Sequence, residues 1–308
     1  MNGGTVWTGA DGKVRAGWQL VVFGLAVVVA AVGIGSLGFA IISPTPIVGW
    51  ARQARIPLDQ VVTAISLLVA TRLTARLVGR DAEGWALVAL SRASWSFRAL
   101  GIGALLGVTV VALPTLLLWI VGAVRFVAVD ATEPWGTTAW GAFALLAPAA
   151  LSEELLFRGF VFSVARESIG VVRAVLLTSL FFGLAHVANP EPTVRSTIAV
   201  VVAGVLLATV RVATRSLGAA FAAHLAINYT QAALLHAPVS GLALATPGYR
   251  LVPVGADWLT GGSWGPEAGV AVIAAMAGAI VILQKTEERR EKTAGKGEDR
   301  RQKEDRRQ

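Results

Sequence analysis

Long apolar runs separated by short polar stretches organise this chain. Eight runs approach or exceed the 20 or so residues that a helix needs to cross a bilayer, at about 18–42, 58–78, 99–125, 138–162, 171–189, 195–213, 216–235 and 266–284. The fourth is the least apolar and the fifth the shortest, so seven is the nearest alternative count. Trp18, Trp50, Trp119, Trp140, Trp258 and Trp264 fall near run ends, where an interfacial aromatic belt belongs. The pattern predicts an all-α, polytopic integral membrane protein of about eight transmembrane helices.

Composition sharpens this reading by exclusion. With 55% hydrophobic and 15% charged residues, the chain is too apolar for an ordinary soluble domain. Its net charge of +8 does not point to nucleic acid, because the basic residues lie in short loops and a terminal tail rather than on one folded face. Counted over eight spans, one side collects Lys13, Arg15, Arg72, Arg76, Arg80, Arg92, Arg98, Arg166, Arg173, Arg211, Arg215 and the tail. The other side has Arg52, Arg55, Arg125, Arg195 and Arg250. The positive-inside rule then puts both termini in the cytoplasm. The first run is longer than a signal-peptide core and is read as a retained span. Lys285 to Gln308 mixes acids and bases and reads as a disordered or frayed helical cytoplasmic tail. With no cysteine, any metal or proton chemistry falls to histidine and carboxylate.

Against this background the polar residues inside the runs stand out. Glu153, Glu154 and Arg158 lie in SEELLFRGF, His186 ends FFGLAH, and His224 with Asn228 forms HLAIN. Ionisable groups at membrane depth are costly, and a functional site is their default reading. On a helix Glu154 and Arg158 are four apart and can pair, while Glu153 points about 100° away from Glu154 and can face a cavity. Pro148 removes a backbone donor just upstream and can loosen the helix leading in. At 1.5 Å per residue, Glu153 lies roughly 20 Å from Arg166, His186 roughly 20 Å from Arg173 and His224 roughly 13 Å from Arg215, so the three groups can meet at one level.

Two chemistries suit such a set. His224 and Asn228 share a helix face and can donate hydrogen bonds to an oxyanion. Alternatively Glu153, His186 and His224 can supply three ligands to a divalent metal such as zinc, with a fourth position for water. Spacing alone does not choose between them.

The ordered triple of EELLFR (Glu153 to Arg158), FGLAH (Phe182 to His186) and HLAIN (His224 to Asn228) resembles the CPBP family, the CAAX proteases and bacteriocin-processing (Abi) intramembrane peptidases. The resemblance covers about residues 140 to 235. It implies an eight-helix membrane fold whose catalytic cavity opens toward the cytosol, with Glu153 and His186 activating the hydrolytic water. It implies further that His224 and Asn228 stabilise the oxyanion and that Glu154 and Arg158 organise the site. Family members are also described as metal-dependent, which would make Glu153, His186 and His224 ligands.

These readings divide the chain into an N-terminal transmembrane region of about three helices (1–136), a CPBP-like catalytic core (137–236), an extracytoplasmic loop with the last helix (237–284) and the charged tail (285–308). The expected activity is an intramembrane endopeptidase, metallo- or glutamate-type, acting on membrane-associated or lipid-modified protein or peptide substrates. The bilayer is its environment and nucleic acid is not a partner. Two other classes compete: a non-proteolytic membrane scaffold or bacteriocin-immunity protein, and a proton-coupled transporter, since buried Glu and His also build proton relays. Gly103 and Gly107 form a GxxxG pattern expected to serve close packing within the subunit. His236 is expected to be solvated near the far interface.

Overall fold

The computed structural model describes residues 5–9, 11–43, 45, 46, 49, 51, 57–130, 133–245 and 247–305. Trp50, Arg52 and Arg55, used above for the belt and the charge count, lie outside the described residues. The helices are α1 (Ala16–Ile42), α2 (Leu58–Leu77), α3 (Phe97–Ile120), α4 (Trp135–Glu154), α5 (Val161–Ile169), α6 (Val171–Ala185), α7 (Val194–Thr214), α8 (Leu217–Tyr229), α9 (Asp257–Thr260) and α10 (Val270–Asp305). The fold is thus all-α and polytopic, as the apolar runs predict.

Local chemistry sets several helix starts. Ser96 and Ser216 cap α3 and α8 by accepting from the backbone N–H groups of Ala99 and Ala219, at 3.2 and 2.9 Å. Thr193 and Ser196 form a reciprocal capping box at the start of α7. Gly170, at φ +83°, reverses the chain between α5 and α6.

Seven helical stretches among the described residues are long and apolar enough to cross a membrane. The expected seventh run is not one of them, because His224, Asn228 and Gln231 lower its hydropathy. It nevertheless traverses the bundle. Ser216, just before α8, donates to the Ser94 carbonyl at the start of α3, while Ala233 accepts from the indole of Trp135 at the start of α4. From Leu217 the helix runs through a π-helical turn at Thr230–Leu235. That is a length of roughly 28 Å, about the hydrocarbon thickness. α8 is therefore a polar span shielded from lipid by its neighbours, above all by α3.

The main core lies among α3, α6, α7, α8 and α10 and includes Val111, Phe182, Leu206, Leu207 and Met276. A second core joins α1, α2 and the α4–α5 junction, where Phe23 stacks on Phe160 at 4.8 Å. One feature was absent from the sequence reading, a short antiparallel pair of β1 (Val124–Ala128) and β2 (Tyr249–Pro253), in register Phe126 to Leu251. His236 is a correction: it is 4% exposed, not solvated, and lies edge-on to Tyr249. α10 continues through the charged stretch to Asp305.

Candidate functional site

α4 passes directly into a π-helical turn, Leu155–Phe160, before α5 begins. A π turn holds an extra residue and is found often at functional sites. Within it Gly159 sits at φ −85°, ψ −117°, outside the helical region, which allows the helix to widen there. Arg158 is carried on this turn, one residue before that break.

Glu154 and Arg158 are both fully buried. Glu154 Oε1 accepts from Arg158 Nη1 at 3.0 Å and from His224 Nδ1 at 2.9 Å. Arg158 Nη2 donates to the Gly204 carbonyl at 3.0 Å, and its guanidinium lies 4.2 Å from the ring centre of Phe182. A buried ion pair needs its remaining bonding positions met; these contacts engage Glu154 Oε1 and both Arg158 Nη atoms, while Glu154 Oε2 and Arg158 Nε are buried without a partner. Together they tie α4, α7 and α8 at one level.

Glu153 differs. Its side chain is about one-third exposed, yet its Oε2 is buried and accepts no hydrogen bond. His186 Nε2 lies 3.7 Å from this oxygen and His224 Nε2 lies 3.8 Å from it. Both distances exceed a direct hydrogen bond and suit a bridging species. The outer ring nitrogens fix the tautomers. His186 Nδ1 is 2.8 Å from the Phe182 carbonyl, which can only accept, so Nδ1 carries the hydrogen. His224 Nδ1 faces Glu154 in the same way. In the neutral rings both Nε2 atoms therefore present lone pairs, and three lone-pair donors converge on one small volume.

Asn228, one turn beyond His224 on α8, lines a cavity of about 20 Å³ with Phe182, His186, His224, Ser240 and Glu267. That is room for about one water. All six residues singled out from the sequence are thus found at one level, with Asn228 at the cavity wall and outside the hydrogen-bonded core.

Two contributors were missed. Phe182, quoted only as the first residue of its motif, packs on Arg158, His186 and His224 alike. Glu267 precedes α10, is 5% exposed and accepts from the Ser240 N–H. Burial pushes its carboxyl up to about 7. Its only signal in the sequence was a lone acid beside an apolar run, which does not distinguish a buried carboxylate from a loop acid.

Two imidazole nitrogens and a carboxylate oxygen are donor types that zinc accepts, and imidazoles anchored through their outer nitrogens are typical of zinc sites. Among the described residues, however, no group of three or more His, Asp or Glu side chains is placed so as to hold a metal ion together.

Apolar helices surrounding a buried cluster of carboxylate, guanidinium and imidazole groups define an integral membrane protein with an intramembrane polar site. Residues 134–230 match the family model described as type II CAAX prenyl endopeptidase Rce1-like. The match covers about a third of the chain and makes that stretch similar to CAAX-type intramembrane endopeptidases. It spans every one of the six site residues. No curated protein and no solved structure matches the chain.

Proposed function

We propose that this protein hydrolyses peptide bonds of membrane-associated or lipid-modified substrates with a water activated by Glu153 and His186, and that both of its termini are cytoplasmic. The observation that carries the reading is the convergence of the Nε2 atoms of His186 and His224 on the unpartnered Oε2 of Glu153, at 3.7 and 3.8 Å.

In this mechanism Glu153 takes a proton from the water as its oxygen attacks the scissile carbonyl carbon, and His186 orients the water. His224 and Asn228 donate to the resulting oxyanion. For His224 to donate from Nε2 while Nδ1 stays on Glu154, the ring must hold both protons, with Glu154 as counter-charge 2.9 Å away. Glu153 then passes its proton to the leaving nitrogen as the C–N bond breaks. Glu154 and Arg158 position His224 and do not touch the substrate.

This reading uses no metal. A divalent ion such as zinc on Glu153, His186 and His224 is the alternative, and turnover that chelation abolishes and zinc restores would favour it.

The test of the proposal is Glu153→Gln, which keeps the size of the side chain and removes the base. Purified protein carrying it should fold as the wild type does and lose cleavage of a membrane-anchored CAAX-type peptide by at least about 10²-fold, the lower end of what general-base catalysis supplies. Turnover at the wild-type rate would overturn the mechanism.

A further inference from the structure

At the end of the bundle where α5 and α7 stop, a cavity of about 950 Å³ opens beside Arg211, Arg166 and Arg215. Arg211, in the last turn of α7, is 5% exposed, and its Nε is buried without a hydrogen bond. Among the described residues its one close side-chain interaction is with the ring of Phe162, 5.9 Å away. A buried guanidinium without an acid is expensive, so the cavity is short of negative charge.

The acids lining the cavity do not supply it. Glu83 and Glu167 are engaged by Arg80, at 2.6–2.7 Å and 2.7 Å. The Arg80 guanidinium also holds the Glu83 carboxyl below the usual carboxylate range. Glu287 lies 3.9 Å from Arg215. Arg211 and Arg166 are left, two cations facing one solvent-accessible volume.

This polar cavity continues into a second of about 470 Å³ between α6, α7 and α10, and the two share Val171, Val212 and Glu287. Val172, Val175, Leu176, Val205 and Leu283 give the second an apolar wall. Val172 and Leu176 are 67% and 57% exposed on the outward face of α6, where lipid chains would lie. An anion-seeking polar cavity at a helix end, joined to an apolar groove along the span, matches a molecule with a charged head and a hydrocarbon tail.

We propose that these cavities bind one anionic phospholipid, its phosphate on Arg211 and Arg166 and an acyl chain in the groove between α6, α7 and α10. The site stands apart from Glu153 and its partners and does not depend on the proteolytic reading. A soluble phosphate would use the same two guanidiniums but would gain nothing from the groove.

The test uses the full-length protein in a neutral detergent, with thermal unfolding and native mass spectrometry as readouts. Phosphatidylglycerol, phosphatidylcholine of the same chains and inorganic phosphate are added separately. Phosphatidylglycerol should raise the unfolding temperature and remain bound, and phosphatidylcholine and inorganic phosphate should do neither. Arg211→Gln and, separately, Arg166→Gln should each weaken phosphatidylglycerol binding, the buried Arg211 by about tenfold or more, as for loss of a charge-assisted hydrogen bond. Without lipid, Arg211→Gln should be at least as stable as the wild type, since it removes an unpaired charge. Equal retention of both lipids, stabilisation by inorganic phosphate alone, or wild-type phosphatidylglycerol binding in both variants would each overturn the proposal.

Discussion

Replacing Gly107 by alanine tests whether the geometry of the proposed site rests on the packing of α3 against α8. Gly103 and Gly107 face α8 at its closest approach. A Cβ at 107 would sit 2.8 Å from the Cβ of Ala226 and still nearer the carbonyl oxygen of Ala223. Carbon atoms in contact prefer about 3.5–4.0 Å, so the two helices would have to separate by roughly 1 Å. Overpacking of that size costs about 1–3 kcal/mol. The displaced backbone is that of Ala223, and His224 follows it directly, so the strain is delivered to the residue that bonds Glu154 at 2.9 Å and faces Glu153. A misplacement of about 1 Å at a reacting centre can lower turnover about 10²-fold. Gly107→Ala should therefore lose stability in thermal unfolding and lose disproportionately more activity on a membrane-anchored reporter peptide. Gly101→Ala is the internal control, because a Cβ there meets nothing within 4 Å. It should be neutral or stabilising by up to about 1 kcal/mol, through helix propensity alone. If Gly107→Ala unfolds and turns over like the wild type, the helix contact does not set the site geometry and the reasoning fails.

Two further outcomes follow from the buried charges. Glu154→Ala leaves Arg158 buried without its acid and should destabilise the purified protein by about 3–5 kcal/mol, whereas Glu154→Gln, which keeps an accepting oxygen, should lose less; equal unfolding temperatures for wild type and Glu154→Ala would show that the pair is not needed for folding. Glu267, raised from 4.5 to about 7, should make the fold more stable in acid. Below about pH 4.5 the acid is protonated in both folded and unfolded chains; as pH rises toward 7 only the unfolded chain has released its proton, so stability falls through that window and levels off above it. The full effect is about 3 kcal/mol. Glu267→Gln isolates the contribution: thermal unfolding across pH 4.5 to 8 should be flatter in the variant, and an unchanged profile would show that Glu267 does not carry the dependence.

The six polar residues of the site were legible in the sequence because the lipid phase makes them conspicuous. A Glu-Glu-x-x-x-Arg run or a histidine inside 20 apolar residues has few inexpensive explanations. The same contrast gave the span boundaries, including α8, whose polar residues mark it as internal. What escaped lies where that contrast vanishes. Glu267 stands in the first turn of the last apolar run, just after Gly265 and Pro266, and only the folded chain shows Ser240 laid across it. Arg211 was counted with the basic residues of its side, because charge tallies carry no information on burial or on the neighbours that Arg80 has already claimed. His236 read as interfacial for the same reason. β1 and β2 are five residues each and more than a hundred apart in sequence, too short and too distant for any local pattern to pair them.

The division of labour between the two adjacent carboxylates follows from one turn of helix geometry. Glu154 points into the bundle, where Arg158 and His224 consume one oxygen and fix the imidazole, so it has no freedom to exchange protons with a substrate. Glu153, one residue earlier and about 100° around the axis, is about one-third exposed with one oxygen buried and unmatched. Because the outer nitrogens of His186 and His224 are already committed as donors, the space between them and Glu153 contains acceptors only while both rings are neutral, before His224 takes the second proton that the oxyanion step requires. Whatever occupies it must bring hydrogens or positive charge. A water brings two hydrogens to three acceptors, and its own oxygen is left to accept only if one of the three groups holds a proton. In the proposed mechanism a water held there as a donor keeps its oxygen lone pairs turned away from the protein's acceptors and available for attack. Glu154 Oε2 and Arg158 Nε are likewise buried without partners, so what sets Glu153 apart is its partial exposure together with two imidazole nitrogens at 3.7 and 3.8 Å from its open oxygen, and that is the physical reason to read it as the base.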